Sequence, residues 1–119
     1  MDIRIERIYQ PASADDGYRV LVDRLWPRGI SKEKAALDEW LREVAPSNEL
    51  RHWFNHEASR WEEFQQRYRI ELASGEAAAG LEQLRQLANA QPVLTLLYAA
   101  HDEAHNNAVV LRELLQSGA

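Results

Sequence analysis

The segment Val93-Leu94-Thr95-Leu96-Leu97-Tyr98-Ala99 constrains the fold more than any other part of the chain. Pro92 stops whatever precedes it, and the polar loop His101–His105 follows it. Even extended to Ala100, the run is far short of the ~20 residues that a membrane helix needs. Its apolar residues are nearly continuous and do not alternate with polar ones. That is the signature of a strand covered on both faces. Such a strand needs a layer above and a layer below, which places the chain in the α/β class. At 119 residues the chain suits one domain, residues 1–119, that buries roughly 65% of the surface its unfolded form would expose.

The rest of the chain supplies the layers. Ile3, Ile5 and Ile8 mark Asp2–Tyr9 as a strand. Gln10–Gly17 is rich in turn residues, and Arg19–Leu25 reads as a second strand with Val20, Leu21, Val22 and Leu25 apolar. The gap between these strands is shorter than the dozen or so residues of a helical crossover, so they are expected to run antiparallel if they pair at all. Trp26-Pro27-Arg28-Gly29 ends the second strand. Ser31 caps a short helix through Lys32-Glu33-Lys34. Residues 37–45 fit two patterns, a helical stripe of Leu37, Trp40, Leu41 and Val44, or a strand alternating through Trp40, Arg42 and Val44. Ser47 is placed to cap a helix over Asn48–Asn55. Ser59 with Glu62 has the form of a capping box opening a helix that carries Trp61, Phe64, Tyr68 and Leu72. A further helix over Ala77–Ala90 turns Leu81, Leu84 and Leu87 inward. Asn106 or Asn107 caps a last helix. The expected architecture is α/β, a single small domain with a mixed, mostly parallel sheet of three or four strands flanked by helices.

Composition removes several chemistries. The chain has no cysteine, which excludes disulfides, thiolate nucleophiles and cysteine-held metal. Its net charge of −5 gives no global attraction to nucleic acid or anionic lipid. The charged N-terminus lacks the apolar run of a signal peptide, so a cytoplasmic location without membrane association is expected.

The run Gly17-Tyr18-Arg19-Val20-Leu21-Val22-Asp23-Arg24-Leu25-Trp26-Pro27-Arg28-Gly29 resembles the signature of the YeaO-like family, domain of unknown function 488. Leu37-Asp38-Glu39-Trp40, Ala45-Pro46-Ser47 and the ending Leu96-Leu97-Tyr98-Ala99-Ala100 through His105-Asn106-Asn107-Ala108 are similar to it as well. The likeness covers almost the whole chain and implies a small α/β fold, but no activity. Longer relatives carry a cysteine beyond the last core strand. Here that position is Ala or His, so thiol chemistry does not carry over.

Two constellations can carry chemistry. In the first, Arg24 and Arg28 offer guanidinium forks for phosphate or carboxylate. Asp23 can orient Arg24, Trp26 presents a ring, Gly29 permits close approach, and Lys32 and Lys34 add charge. In the second, Tyr98, Asn106 and Asn107 stand between a strand end and a helix start, where ligands of open α/β sheets collect. His101 and His105 are the neutral-pH proton carriers there, alongside Asp23. Together they suggest a cleft for a small anionic molecule. Two other readings stand beside it, a nucleic-acid-binding module and a structural or protein-interaction domain. No cofactor, reaction or oligomeric state is legible, and no metal site is expected. His101-Asp102-Glu103-Ala104-His105 spaces its histidines as a zincin does, but has Asp where the glutamate belongs and lies in a loop. Asp102-Glu103-Ala104-His105 mimics a helicase box without any phosphate loop. Neither Ser31 nor Ser47 sits in a nucleophile elbow. The aromatic set Trp40, Trp53, Phe54, Trp61, Phe64 and Tyr68 is read as core, with His52 and His56 peripheral.

Overall fold

A computed structural model describes residues 1–117. The apolar segment forms β4 (Val93–Tyr98) at the centre of a four-stranded sheet. Its neighbours are β1 (Asp2–Arg7) on one side and β2 (Tyr18–Leu21) on the other, with the two-residue β3 (Glu39–Trp40) beyond β2. All three pairings are parallel. Leu94 through Tyr98 are buried, as a strand covered on both faces requires.

The expected antiparallel pairing of the first two strands is not what forms. β1 and β2 do not touch as partners, because β4 lies between them and both run parallel to it. The ten residues Ile8–Gly17 make the return without a long helix. Ten extended residues reach about 33 Å, more than the ~20 Å of a six-residue strand. This strap is pinned by a 3-10 turn at Ala14–Asp16, closed by a reciprocal Ser13–Asp16 capping box. The Thr95 hydroxyl also donates to the Asp16 carbonyl at 2.6 Å. Gly17 then passes so close to β4 that a Cβ there would lie 2.4 Å from the Val93 carbonyl oxygen.

The sheet has two unlike faces. Ile3, Val20, Val22, Leu94, Leu96 and Tyr98 face the helical layer, built by α2 (Asn48–Phe54), α3 (Trp61–Glu71), α4 (Gly75–Ala90) and α5 (Asn107–Gln116). Leu21 and Leu97 point the other way, into a smaller cluster with Ile8 and Ala35 that Trp26, Ile30, Leu37 and Trp40 flank. This second face is closed by the strap, the loop after β2 and the short α1 (Lys32–Ala35). Arg19 is buried here at 4% exposure, donating to Asp16 and to the carbonyls of Ala35 and Ala36. A buried guanidinium is tolerated because acceptors surround it.

Local signals fix several ends. The hydroxyls of Ser31 and Ser47 accept from the Lys34 and Leu50 amides, and the Asn106 side chain accepts from Val109. Asn106, rather than Asn107, is therefore the cap of α5. Residues 37–45 resolve into β3 followed by a 3-10 turn at Arg42–Val44. Two expectations are corrected. Ser59 is no cap: it lies inside a 3-10 turn, Ala58–Arg60, and α3 begins after it without a side-chain cap. Leu25 is not a strand residue and is 60% exposed, because β2 stops at Leu21 and the chain bends at Arg24 and Leu25. Of the aromatic set, Phe54, Phe64 and Tyr68 are buried, and the three tryptophans are half-buried at the rim.

Candidate functional site

The two central strands send their continuations to opposite faces. After β2 the chain turns onto the α1 face, and after β4 it enters α5 on the helical face. In open parallel sheets such a divergence opens a crevice at the carboxyl ends of the strands. Asp23 sits in it. Its Oδ2 accepts from the Ala99 amide at 2.9 Å, and the Asn107 side chain donates to the Val22 carbonyl at 2.9 Å. The Trp40 indole closes the rim by donating to the Asp23 carbonyl at 2.7 Å. Residues far apart in the chain thus meet at one edge.

Burial pushes the Asp23 carboxyl above its ordinary range. The Ala99 amide and the Asn107 side chain act in the other direction, as do Arg51 and His56 nearby. Arg51 belongs to α2, and His56 follows it in the left-handed conformation with φ +56°. Below them Tyr68 is fully buried, its hydroxyl donating to the Val44 carbonyl. Burial, with Asp23 and Glu71 near, drives that phenol well above the usual tyrosine range.

The other sequence-derived candidates divide. Arg24 donates to the Pro46 and Ala45 carbonyls, both at 3.1 Å, and so ties the β2 exit to the loop before α2. The Trp26 indole donates to the Ile30 carbonyl at 2.7 Å, and its ring stands edge-on to Trp40. Arg28 and Gly29 are exposed in the same turn, whose Arg28 carbonyl accepts from the Tyr9 hydroxyl. Lys32 and Lys34 are exposed on α1, on the face away from α5. The basic run therefore leaves the carboxyl edge at Arg24. Tyr98 is buried, and burial raises its hydroxyl. His101 is exposed. The His105 Nδ1 lies 2.8 Å from Asp102 Oδ2, and its ring meets Trp61 edge-on. His105 and the amides of Ala104 and His105 hold the Asp102 carboxyl below its ordinary range.

Sequence reasoning did not single out Arg51, His56 or Asp102 as neighbours of the site. Asp102 had a readable signal, an Asp whose side chain serves the amides two and three residues on. Arg51 and His56 had none, since they come to Asp23 through the packing of α2. No group of three or more metal-ligating side chains occurs among the described residues, and no helix there is long and apolar enough to cross a membrane. At the amino end of the sheet, a cavity of about 560 Å³ opens among Arg4, Tyr18, Asp38, Gln91 and Val93.

A family model described as the inactive DUF488-N3 subclade matches residues 2–118. The chain belongs to this subclade. Among curated proteins, this DUF488-N3 member is 48% identical over 117 residues to the uncharacterized protein YeaO of Escherichia coli, which covers 98% of this chain and 99% of that one. It is 42% identical over 113 residues to the uncharacterized protein Rv3073c of Mycobacterium tuberculosis, covering 95% of this chain and 92% of the relative. No solved structure matches it.

Proposed function

We propose that this chain is a non-catalytic binding module for a small phosphate- or carboxylate-bearing molecule, held at the carboxyl edge of the sheet between the exits of β2 and β4. The divergence of those two exits around Asp23 carries the reading, because ligands of open parallel sheets collect where the strand exits part. Arg51 and His56 near Asp23 would meet the anionic group of the ligand. The first amides of α5 point the same way as the helix dipole and favour an anion. Asp23 would accept from a hydroxyl or amine elsewhere on the ligand. The description of the subclade as inactive supports binding over turnover. In this reading Asp23, His101 and His105 contact or border the ligand and transfer no proton. The nucleic-acid reading is less favoured, since Trp26 is anchored by its indole and packed on Trp40.

Titration of inorganic phosphate into isotopically labelled protein tests this. Saturable amide shifts at Ala99, Asn107 and Ala108 are expected, weakened several-fold in Arg51→Ala. Shifts centred on Lys32 and Lys34, or none that saturate, would overturn it.

A further inference from the structure

β1 is an edge strand six residues long, and the sheet's other edge, β3, has only two. In the ladder with β4 the even-numbered residues of β1 turn their peptide groups inward, as the Ile8 amide shows by donating to the Tyr98 carbonyl at 2.8 Å. Ile3, Ile5 and Arg7 therefore turn theirs outward. The Arg7 carbonyl accepts from the Gln10 amide, while the amide and carbonyl of Ile3 and Ile5 and the amide of Arg7 have no partner among the described residues. No proline interrupts this row. An edge of this kind is a template for another strand.

We infer that β1 is a self-pairing edge, at which two copies of the chain join their sheets by antiparallel β1–β1 contact about a two-fold axis through Ile5. The register follows from charge. Outward peptide groups must meet outward ones, so odd residues oppose odd ones and even oppose even. Centring on Ile5 sets Arg4 opposite Glu6 of the second copy, twice by symmetry, with Ile3 opposite Arg7. Centring on Arg4 would set Arg4 against Arg4 and Asp2 against Glu6, both repulsive. Centring on Ile3 pairs Asp2 with Arg4 but leaves Arg7 outside the ladder. The Ile5 register alone uses the whole outward row and matches opposite charges. Arg4, whose guanidinium also donates to Asp2 and to the Asp15 carbonyl, is exposed, and Glu6 is half-buried on the same face of β1, so a facing strand would bring a second carboxylate to Arg4. The contact is isologous, which closes at two copies and makes no filament.

The test is the association state of the full chain from about 10 µM to 1 mM by sedimentation equilibrium, beside amide exchange at both ends of that range. A dimer is expected, with the amides of Ile3, Ile5 and Arg7 slowed in the concentrated sample. Arg4→Glu and Glu6→Arg each put like charges opposite one another twice, and each should weaken self-association roughly tenfold or more. Mixing the two variants restores both attractive pairs, so they should form a mixed dimer with near wild-type affinity. A monomer throughout the range would overturn the inference. So would a dimer indifferent to both variants, or variants that stay apart when mixed. If either variant fails to fold, the concentration dependence of exchange at Ile5 in the unmodified chain decides alone.

Discussion

Asp23 and Asp16 are both withdrawn from water, and their surroundings move them in opposite directions. Burial outweighs the Ala99 amide, Asn107 and the nearby cations at Asp23, so its native carboxyl titrates above the unfolded one. Burial would raise Asp16 too, but the Ser13 amide and the Arg19 guanidinium prevail and hold it below. The linkage signs are therefore opposite. The stabilising contribution of Asp23 is fullest below the unfolded carboxylate range and falls as pH rises through the raised native value. That of Asp16 is present above the unfolded range and is lost as pH falls through the lowered one. Urea midpoints across about pH 3 to 7 should show the wild type losing ground to D23N and gaining on D16N as pH rises. Parallel trends in the two comparisons would refute this. At neutral pH, Asp23→Ala should cost about 1–3 kcal/mol, since the Ala99 amide loses its acceptor. The sequence showed Asp23 as a candidate by its place before Arg24 and Trp26. It could not show that Ala99 would be the partner, because nothing local joins the two positions.

Elements whose ends are set by neighbouring residues were legible. Ser31, Ser47 and Asn106 cap their helices because a short polar side chain finds an amide two or three residues ahead, whatever the rest of the molecule does. Ser59 carried the same signature and failed. The 3-10 turn before α3 takes up that segment, and Arg60 holds the Trp53 carbonyl instead. The contrast gives a measurement. Ser47→Ala loses the cap and the hydroxyl bond to Glu71 of α3, while its backbone amide keeps the other bond to Glu71, so thermal or urea unfolding should show a loss of about 1–2 kcal/mol. Ser59→Ala should stay within about 0.5 kcal/mol. Gly17→Ala should be worse than either, at about 2 kcal/mol or more. It combines a φ of +64° with a methyl group driven into the Val93 carbonyl. The expected end of the second strand at Leu25 was misplaced because apolar pattern alone does not register where pairing stops. Here pairing stops at Leu21, with the Val22 amide still reaching the Leu97 carbonyl.

On the scale of the molecule, β4 joins two apolar clusters of unequal size, with Leu96 in the larger and Leu97 in the smaller. Both side chains are fully buried, so Leu96→Ala and Leu97→Ala should each cost about 2–5 kcal/mol. Unfolding should remain a single transition by tryptophan fluorescence and by circular dichroism, because one strand carries both clusters. Separate transitions for the two probes would show two independent cores. The amino-acid sequence by itself determined the buried central strand, the α/β class, the caps at Ser31 and Ser47, and the cap of the last helix to within one residue. These rest on composition, periodicity and contacts within a turn or two, where propensity and burial act locally. The tertiary structure alone decided that β4 separates β1 from β2, that the strap crosses without a helix, and that Arg19 is buried. It also decided that Arg24 serves carbonyls while Arg51 and His56 come to Asp23. Those outcomes depend on which distant surfaces exclude water together, a quantity that belongs to the packed chain and to no segment of it.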